Sequence, residues 1–178
     1  MIFLYSGTPG SGKSLHVAER LYHLLSAGRP VVCNFNVNLN QIPPKRRDLF
    51  HYKSNLEITP EYLIDFSQKH FKGKLVKESS LLLVVDECQL MLNAREWSKA
   101  GPDKWLSFFT LHRHYGYDII LVAQFDRMID RQIRSLIEYE YIHRKVSNFG
   151  LRGKFLCAIF LSPKLFISVK VWYPMKEK

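Results

Sequence analysis

The sequence has little of what marks secreted or membrane-spanning proteins. Only three cysteines occur among 178 residues, Cys33, Cys88 and Cys157, and no two of them form a CxxC pair. An odd number of widely spaced cysteines argues against a disulfide framework or a zinc ribbon and favours a reducing, cytoplasmic compartment. No apolar run approaches the roughly 18 residues that a spanning helix needs, and no signal-type segment precedes the first strand. We therefore expect a cytoplasmic domain that does not itself cross a membrane.

Acidic residues are also scarce: 16 Asp and Glu stand against 26 Lys and Arg, so the net charge is +10. Such an excess attracts polyanions such as nucleic acid, nucleotide phosphates or anionic lipid. The excess grows toward the end of the chain, because residues 126–178 contain eleven basic and five acidic residues. The sequence shows no repeat, low-complexity tract or linker, so residues 1–178 are expected to form a single domain.

Short apolar runs alternate with segments of helical periodicity, a pattern typical of a mainly parallel sheet with helices on both faces. The strand candidates are residues 1–5, 31–36, 81–85, 119–123 and 139–144, and the helix candidates are residues 13–27, 60–66, 102–115 and 126–137. Residues 38–80 are expected to form an excursion at the sheet edge. The apolar runs 155–161 and 165–171 predict a C-terminal β-hairpin.

Residues 7–14 match the full pattern G-x-x-x-x-G-K-[ST] between a strand and a helix candidate, the context that a phosphate-binding P-loop (Walker A) requires. Glycines let successive backbone N–H groups turn inward around phosphates, and the helix N-terminus adds partial positive charge. Lys13 is predicted to reach the outer phosphates, and the Ser14 hydroxyl to hold Mg²⁺. The predicted ATP-binding set is Gly7, Thr8, Pro9, Gly10, Ser11, Gly12, Lys13, Ser14 and Leu15.

An acidic pair, Asp86 and Glu87, follows the apolar strand candidate 81–85. Ligands of open α/β sheets bind at the carboxyl ends of the strands, so this pair is expected beside the P-loop. Successive strand residues point to opposite sides, which separates the two carboxylates. We assign Asp86 to the water shell of Mg²⁺ and Glu87 to activation of the attacking water.

Gln124 follows the strand candidate 119–123 and either bonds the γ-phosphate or the attacking water, or is a plain surface residue. With Glu87 and Lys13 it completes the predicted catalytic set. Arg113 and Arg134 are candidates for an arginine finger that reaches the nucleotide of a neighbouring subunit. Alternatively, Arg113 is a cation at a helix C-terminus, and Arg134 belongs to a solvated basic face.

Two further groups of side chains are predicted from their spacing. The helix candidate 126–137 carries a basic face formed by Arg127, Arg131 and Arg134, opposite an apolar stripe. This face either contacts nucleic-acid or lipid phosphates, or is solvated or buried between subunits. Four aromatic side chains are expected to pack in the core rather than to stack on bases: Trp97, Trp105, Phe108 and Phe109.

The P-loop, the Asp86–Glu87 pair and the run from His112 to Gln124 together resemble the zonular occludens toxin (Zot) family. That family includes the gene I assembly proteins of filamentous phages and is similar to the FtsK and HerA pumping ATPases. The likeness covers nearly the whole chain, and the run R-H-x-G-x-D-I-I-L-x-x-Q is its most family-specific part.

The resemblance implies a RecA/FtsK-like ATPase of the additional-strand, catalytic-glutamate type. It further implies a homo-oligomer that acts with phage assembly proteins at the cytoplasmic face of the inner membrane and powers extrusion of single-stranded DNA. Family members continue into a membrane helix, so attachment to the inner membrane is expected only through a segment absent from this chain. Two other functions stay open: a small-molecule or nucleotide kinase, and a nucleotide-gated assembly module with little turnover.

Overall fold

One seven-stranded sheet organises the chain, in a computed structural model that describes residues 1–92, 102–162 and 164–176. The strands are β1 (Ile2–Ser6), β2 (Val31–Cys33), β3 (Phe50–Tyr52), β4 (Leu81–Val85), β5 (Tyr117–Val122), β6 (Tyr139–Lys145) and β7 (Phe166–Trp172). Their order across the sheet is β3-β2-β4-β5-β1-β6-β7, and every pairing is parallel except that between β6 and β7. The predicted, mainly parallel sheet is therefore confirmed.

The helices cover both faces of the sheet. They are α1 (Lys13–Ser26), α2 (Pro60–His70), α3 (Pro102–Leu111), α4 (Arg131–Arg134), α5 (Gly150–Ile159) and α6 (Tyr173–Lys176). Val17 and Leu21 of α1 pack in the core on one face, whereas Leu63 of α2, Phe108 of α3 and Ile133 of α4 pack on the other. Residues 38–80 contribute β3 at the sheet edge and α2, so the predicted edge excursion is confirmed.

Strict alternation divides the central strands between the two cores. In β4, Leu81, Leu83 and Val85 belong to the core beside α2 and α3, while Leu82 and Val84 belong to the core beside α1. A strand buried on both faces reads as a continuous apolar run, because neither face meets water. This burial keeps the end of β4, and the acidic pair after it, in a defined position.

The predicted C-terminal hairpin is wrong in its first half. Residues 155–159 lie in α5, and β7 pairs antiparallel with β6 instead. Periodicity alone cannot separate a short buried strand from a helix, and two close contacts favour the helix here. A Cβ at Gly153 would collide with the Val146 carbonyl oxygen, so only glycine lets α5 approach this closely. The Val146 N–H also donates to the Leu165 carbonyl at 2.9 Å, and this hydrogen bond joins the two ends of the segment that contains α5.

The predicted continuous helix 126–137 is also wrong. A 3₁₀ turn occupies Asp126–Met128, Ile129 is extended, and α4 spans only four residues. Asp130 accepts a hydrogen bond from the Gln132 N–H at 2.8 Å and caps a new helix, so Arg127 and Arg131 do not share one helical face. Trp105, Phe108 and Phe109 are buried in the core as predicted, whereas Trp97 lies outside the described residues.

Ion pairs join the elements at the amino edge of the sheet, where the parallel strands begin. The Asp118 carboxylate accepts from the Met1 ammonium at 2.7 Å and from the Arg29 guanidinium at 2.8 Å. Burial alone would raise the pKa of Asp118, but these two cations outweigh it and hold that pKa below its usual range. Arg113 pairs with Glu138 at 2.8 Å at the same edge.

Candidate active site

The P-loop connects β1 to α1 and curls because three of its glycines adopt left-handed backbone conformations: Gly7, Gly10 and Gly12. The Ser11 N–H donates to the Thr8 carbonyl at 3.2 Å within the curl. No side chain caps the start of α1, and its first turn holds no acidic residue. The N–H groups at this end therefore remain available to an anion, which is the arrangement that binds phosphates.

Two of these glycines also lie against neighbouring strands. A Cβ at Gly7 would come within 2.5 Å of the His143 carbonyl oxygen of β6, and one at Gly12 within 2.8 Å of the Phe166 ring of β7. The Ser11 hydroxyl beside them is buried and lacks a hydrogen-bond partner within the described part of the chain. A buried, unpaired hydroxyl inside a loop of this shape is suited to a polar ligand.

The Lys13 ammonium lies against the same loop, where it donates to the Gly7 carbonyl at 2.7 Å and to the Thr8 carbonyl at 3.2 Å. Burial lowers the pKa of Lys13, while the charges of Glu87 and Asp86 act to raise it. The P-loop follows β1 and the acidic pair follows β4, and only β5 lies between these two strands. The structure thus brings together the P-loop and the end of β4, as the sequence predicts.

Asp86 is held by an asparagine that the sequence analysis missed. The Asn34 side chain, just beyond β2, accepts from the Asp86 N–H at 2.6 Å and donates to its carbonyl at 2.8 Å. The Asp86 carboxylate accepts the Glu87 N–H at 3.0 Å, and burial raises the pKa of Asp86 above its usual range. The sequence placed Asn34 inside the strand candidate 31–36, whereas β2 ends at Cys33 and leaves this side chain at the carboxyl edge.

Glu87 adopts a left-handed conformation (φ 47°, ψ 45°), which is uncommon for a residue with a side chain. The Gln89 side-chain amide donates to its carboxylate. The turn exposes Glu87 at the carboxyl edge instead of continuing β4. Backbone strain of this kind is typical of functional sites, where the surrounding structure holds it in place.

Gln124 follows β5, which is inserted between β4 and β1. Its backbone carbonyl accepts the Gly7 N–H at 3.2 Å, so the main chain of this residue contacts the start of the P-loop directly. This position lies between the P-loop and the acidic pair. The inserted strand is the additional strand that the family resemblance implied.

Two histidines also missed by the sequence analysis join α1 to β6. His16 Nδ1 lies 2.8 Å from His143 Nε2, and His143 Nδ1 lies 3.1 Å from the Ser6 carbonyl. Because a carbonyl only accepts, His143 carries its proton on Nδ1 and its Nε2 accepts from His16. Burial lowers the pKa of both rings, so the pair is neutral near pH 7.

The two candidate arginine fingers lie away from this cluster. Arg113 belongs to the amino edge, where it pairs with Glu138, and Arg134 ends α4. Leu15, on the first turn of α1, lines a concavity of about 320 Å³ with Gly12 and Phe166. A second concavity, of about 420 Å³, is lined by Asn34, Asp86 and Glu87, among others. Open space therefore lies at the start of α1 and, separately, beside the acidic pair.

Comparisons with known proteins place these features in context. The family model for Zonular occludens toxin (Zot) matches residues 1–173. The chain is 26% identical over 153 residues to the Gene 1 protein of Enterobacteria phage I2-2, covering 84% of this chain and 42% of that protein. It is 30% identical over 139 residues to the Putative assembly protein ORF301 of Pseudomonas phage Pf3, covering 77% and 40%. The chain thus spans less than half the length of these relatives.

Solved structures share the fold. The N-terminal domain of zonular occludens toxin from Neisseria meningitidis aligns with a TM-score of 0.55 at 21% identity, over 84% of this chain and 78% of that one. The genome packaging NTPase B204 from Sulfolobus turreted icosahedral virus 2, in complex with ATPγS, aligns with a TM-score of 0.55 at 17% identity, over 79% and 73%. At such identities the likeness establishes a P-loop NTPase fold.

Proposed function

The chain belongs to the zonular occludens toxin (Zot) family, and from this premise we propose that it is an ATP-hydrolysing motor domain for phage assembly that powers the extrusion of single-stranded DNA. One observation carries the proposal. The P-loop and the pair Asp86–Glu87 lie at the same carboxyl edge of the sheet, on either side of an inserted strand that leads into Gln124. A metabolite kinase has no evident use for this inserted strand and its terminal amide.

In this proposal the P-loop N–H groups and Lys13 bind the β- and γ-phosphates of ATP. Glu87 accepts a proton from the attacking water, and Gln124 orients that water or the γ-phosphate. Glu87 suits this role because its left-handed turn exposes the carboxylate and Gln89 holds it in one orientation. A positioned general base contributes on the order of 10²- to 10⁴-fold to a rate.

Ser14 and Asp86 would hold Mg²⁺, which when bound neutralises charge on the phosphates. A hydroxyl and a carboxylate are the oxygen donors that this ion prefers, and it keeps several water and phosphate ligands besides. Asp86 fits because Asn34 holds its backbone from both sides, so the carboxylate stays at a constant position beside the loop.

The wider assignments rest on the relatives. The Pseudomonas phage relative is named as an assembly protein, and the similar B204 structure is a genome packaging NTPase. We assign to this chain homo-oligomerisation, single-stranded DNA and phage assembly proteins as partners, and a place at the cytoplasmic face of the inner membrane. Arg113 and Arg134 stay candidates for a residue that acts on a neighbouring subunit's nucleotide.

The test measures phosphate release from ATP by the 178-residue chain, with and without single-stranded DNA. Release to water that the DNA stimulates supports the motor. Lys13→Ala removes the charge opposite the outer phosphates and should abolish both ATP binding and release. Lys72→Ala, an exposed lysine after α2, is the matched control and should leave both unchanged.

Three results would overturn the motor. Equal phosphate release by the parent and Lys13→Ala would remove the P-loop from the activity. Transfer of the phosphate to an added acceptor instead of water would identify a kinase. Nucleotide-dependent oligomerisation without phosphate release, seen by sedimentation velocity, would identify a gated assembly module.

A further inference from the structure

Helix α5 exposes apolar side chains to an unusual degree. Leu151 is 85% exposed, Phe155 67% and Ile159 57%, and Phe160 and Leu161, just past the end of the helix, are 64% and 92% exposed. On the helix itself only Gly153 and Cys157 are buried, against the turn at Val146. Helices that are apolar on nearly all sides are normally covered, because exposed apolar area of this size is unfavourable in water.

The exposed residues have a regular geometry. Leu151, Phe155 and Ile159 follow one another at intervals of four residues and form a line on the side of α5 opposite Gly153 and Cys157. Arg152 and Lys154 flank this line, one on either side. We call these five residues the α5 face: Leu151, Arg152, Lys154, Phe155 and Ile159. Its outermost line is apolar and its borders are cationic.

The charge around the α5 face is of one sign. Residues 141–176 contain seven Lys and Arg and no Asp or Glu. An apolar line bordered by cations, in a stretch of chain without acids, complements the boundary between the acyl chains and the anionic headgroups of a bilayer. None of the helices in residues 1–92, 102–162 and 164–176 is long and apolar enough to cross a membrane. The complement is therefore a surface that α5 lies on.

We propose that the α5 face docks this chain on an anionic lipid surface, with Phe155 and its apolar neighbours inserted among the headgroups and Arg152 and Lys154 on lipid phosphates. A second copy pairing through the same face would bring like charges together. Single-stranded DNA would engage the cations, but the aliphatic Leu151 and Ile159 have no ring on which bases stack. A lipid surface accounts for both the apolar line and the cations that border it. The proposal does not depend on ATP hydrolysis.

Vesicle flotation without nucleotide tests it. The full chain should float with vesicles of phosphatidylcholine and phosphatidylglycerol in equal parts and should stay unbound with phosphatidylcholine alone. Phe155→Ser with Ile159→Ser should weaken binding about a hundredfold, since burying each apolar side chain contributes roughly tenfold or more. Arg152→Gln with Lys154→Gln should weaken it about 25-fold, at roughly fivefold for each cation. Leu75→Ser with Val76→Ser removes exposed apolar side chains elsewhere and should change nothing.

The results distinguish a lipid surface from a second copy of the chain or single-stranded DNA as the partner of the α5 face. Equal binding to both vesicle types, or no loss in either α5 variant, overturns the proposal. It is also overturned if sedimentation velocity shows a lipid-free oligomer that the two serines dissociate, since a second copy then covers α5. The proposal is also overturned if the double serine variant loses DNA binding and the parent does not float with either type of vesicle. The glutamine pair keeps the test valid if the serine pair does not fold, because it removes charge from exposed positions only.

Discussion

The two edges of the sheet carry similar residues in opposite arrangements. At the amino edge, Asp118 is joined to Met1 and Arg29, and Glu138 to Arg113, so the charges are paired. At the carboxyl edge, none of the ion pairs in the described part of the chain includes Lys13, Asp86 or Glu87. The pKa of Asp118 is held below its usual range, and that of Asp86 is raised by burial.

This difference separates stability from function. The paired charges at the amino edge join the starts of β1, β5 and β6 to the turns that follow α1 and α3. The unpaired charges at the carboxyl edge are held by backbone contacts, such as those of Asn34 with Asp86, which leave the carboxylates available to a ligand. Substitutions at the two edges should therefore alter different measurements.

The largest expected effect is at the carboxyl edge. Glu87→Gln keeps the size of the side chain but removes the base, so ATP hydrolysis should fall about 10³-fold while ATP affinity stays within about twofold. Phosphate release and isothermal titration measure the two quantities. Glu61→Gln, an exposed carboxylate on α2 paired with Lys104, is the control and should change neither. Unchanged turnover in Glu87→Gln would remove this glutamate from catalysis.

At the amino edge the expected effect is on stability. Asp118→Asn removes the carboxylate that the Met1 and Arg29 cations share, and should lower the free energy of unfolding by about 3 kcal/mol. For a chain of this length the melting temperature should fall by about 6 to 12 °C. Asp65→Asn breaks an exposed pair with Lys69 on α2 and should cost less than about 0.5 kcal/mol. Equal melting temperatures for the two variants would contradict the comparison.

The histidine pair beside the P-loop should make stability depend on pH. The folded-state pKa values of His16 and His143 are lowered by burial, so the unfolded chain binds more protons once the pH falls below about 6.5. Stability should thus be full above that pH and should decrease as the pH falls toward the folded-state values. Urea unfolding should show that the free energy of unfolding decreases less with falling pH in His143→Gln than in the parent. Parallel curves of this free energy against pH would exclude the histidine pair as a cause.

The smallest effect concerns nucleic acid. Arg127→Glu with Arg131→Glu should lower the slope of log affinity against log salt for single-stranded DNA by about 1.4, at about 0.7 for each phosphate contact. Both side chains are exposed, so the fold should persist. Lys69→Glu with Lys72→Glu, on the end of α2, is the control. Filter binding that gives equal slopes for the parent and the arginine variant would place the DNA elsewhere.

Elements with a strong local signal were predicted well. The P-loop has a full motif between a strand and a helix, and Thr59 with Pro60 marks the start of α2, where Thr59 accepts the Tyr62 N–H at 3.2 Å. The strand 81–85 was predicted with its observed bounds, because a run buried on both faces is apolar throughout and polar residues mark where it begins and ends. In residues 126–137 and 155–161, where the local pattern is ambiguous and long-range contacts decide, the prediction of secondary structure was wrong, whereas the strand predicted between them at 139–144 is β6.

The sequence by itself determined the nucleotide-binding class of this protein, since glycines, a lysine and a hydroxyl at fixed spacing make a phosphate cradle wherever a strand precedes and a helix follows. Only the tertiary structure decided the rest. It placed Asn34 on Asp86, joined His16 to His143, and moved Arg113 to the amino edge. These contacts join residues far apart along the chain, and strand order, which sets them, leaves no periodic trace in the sequence.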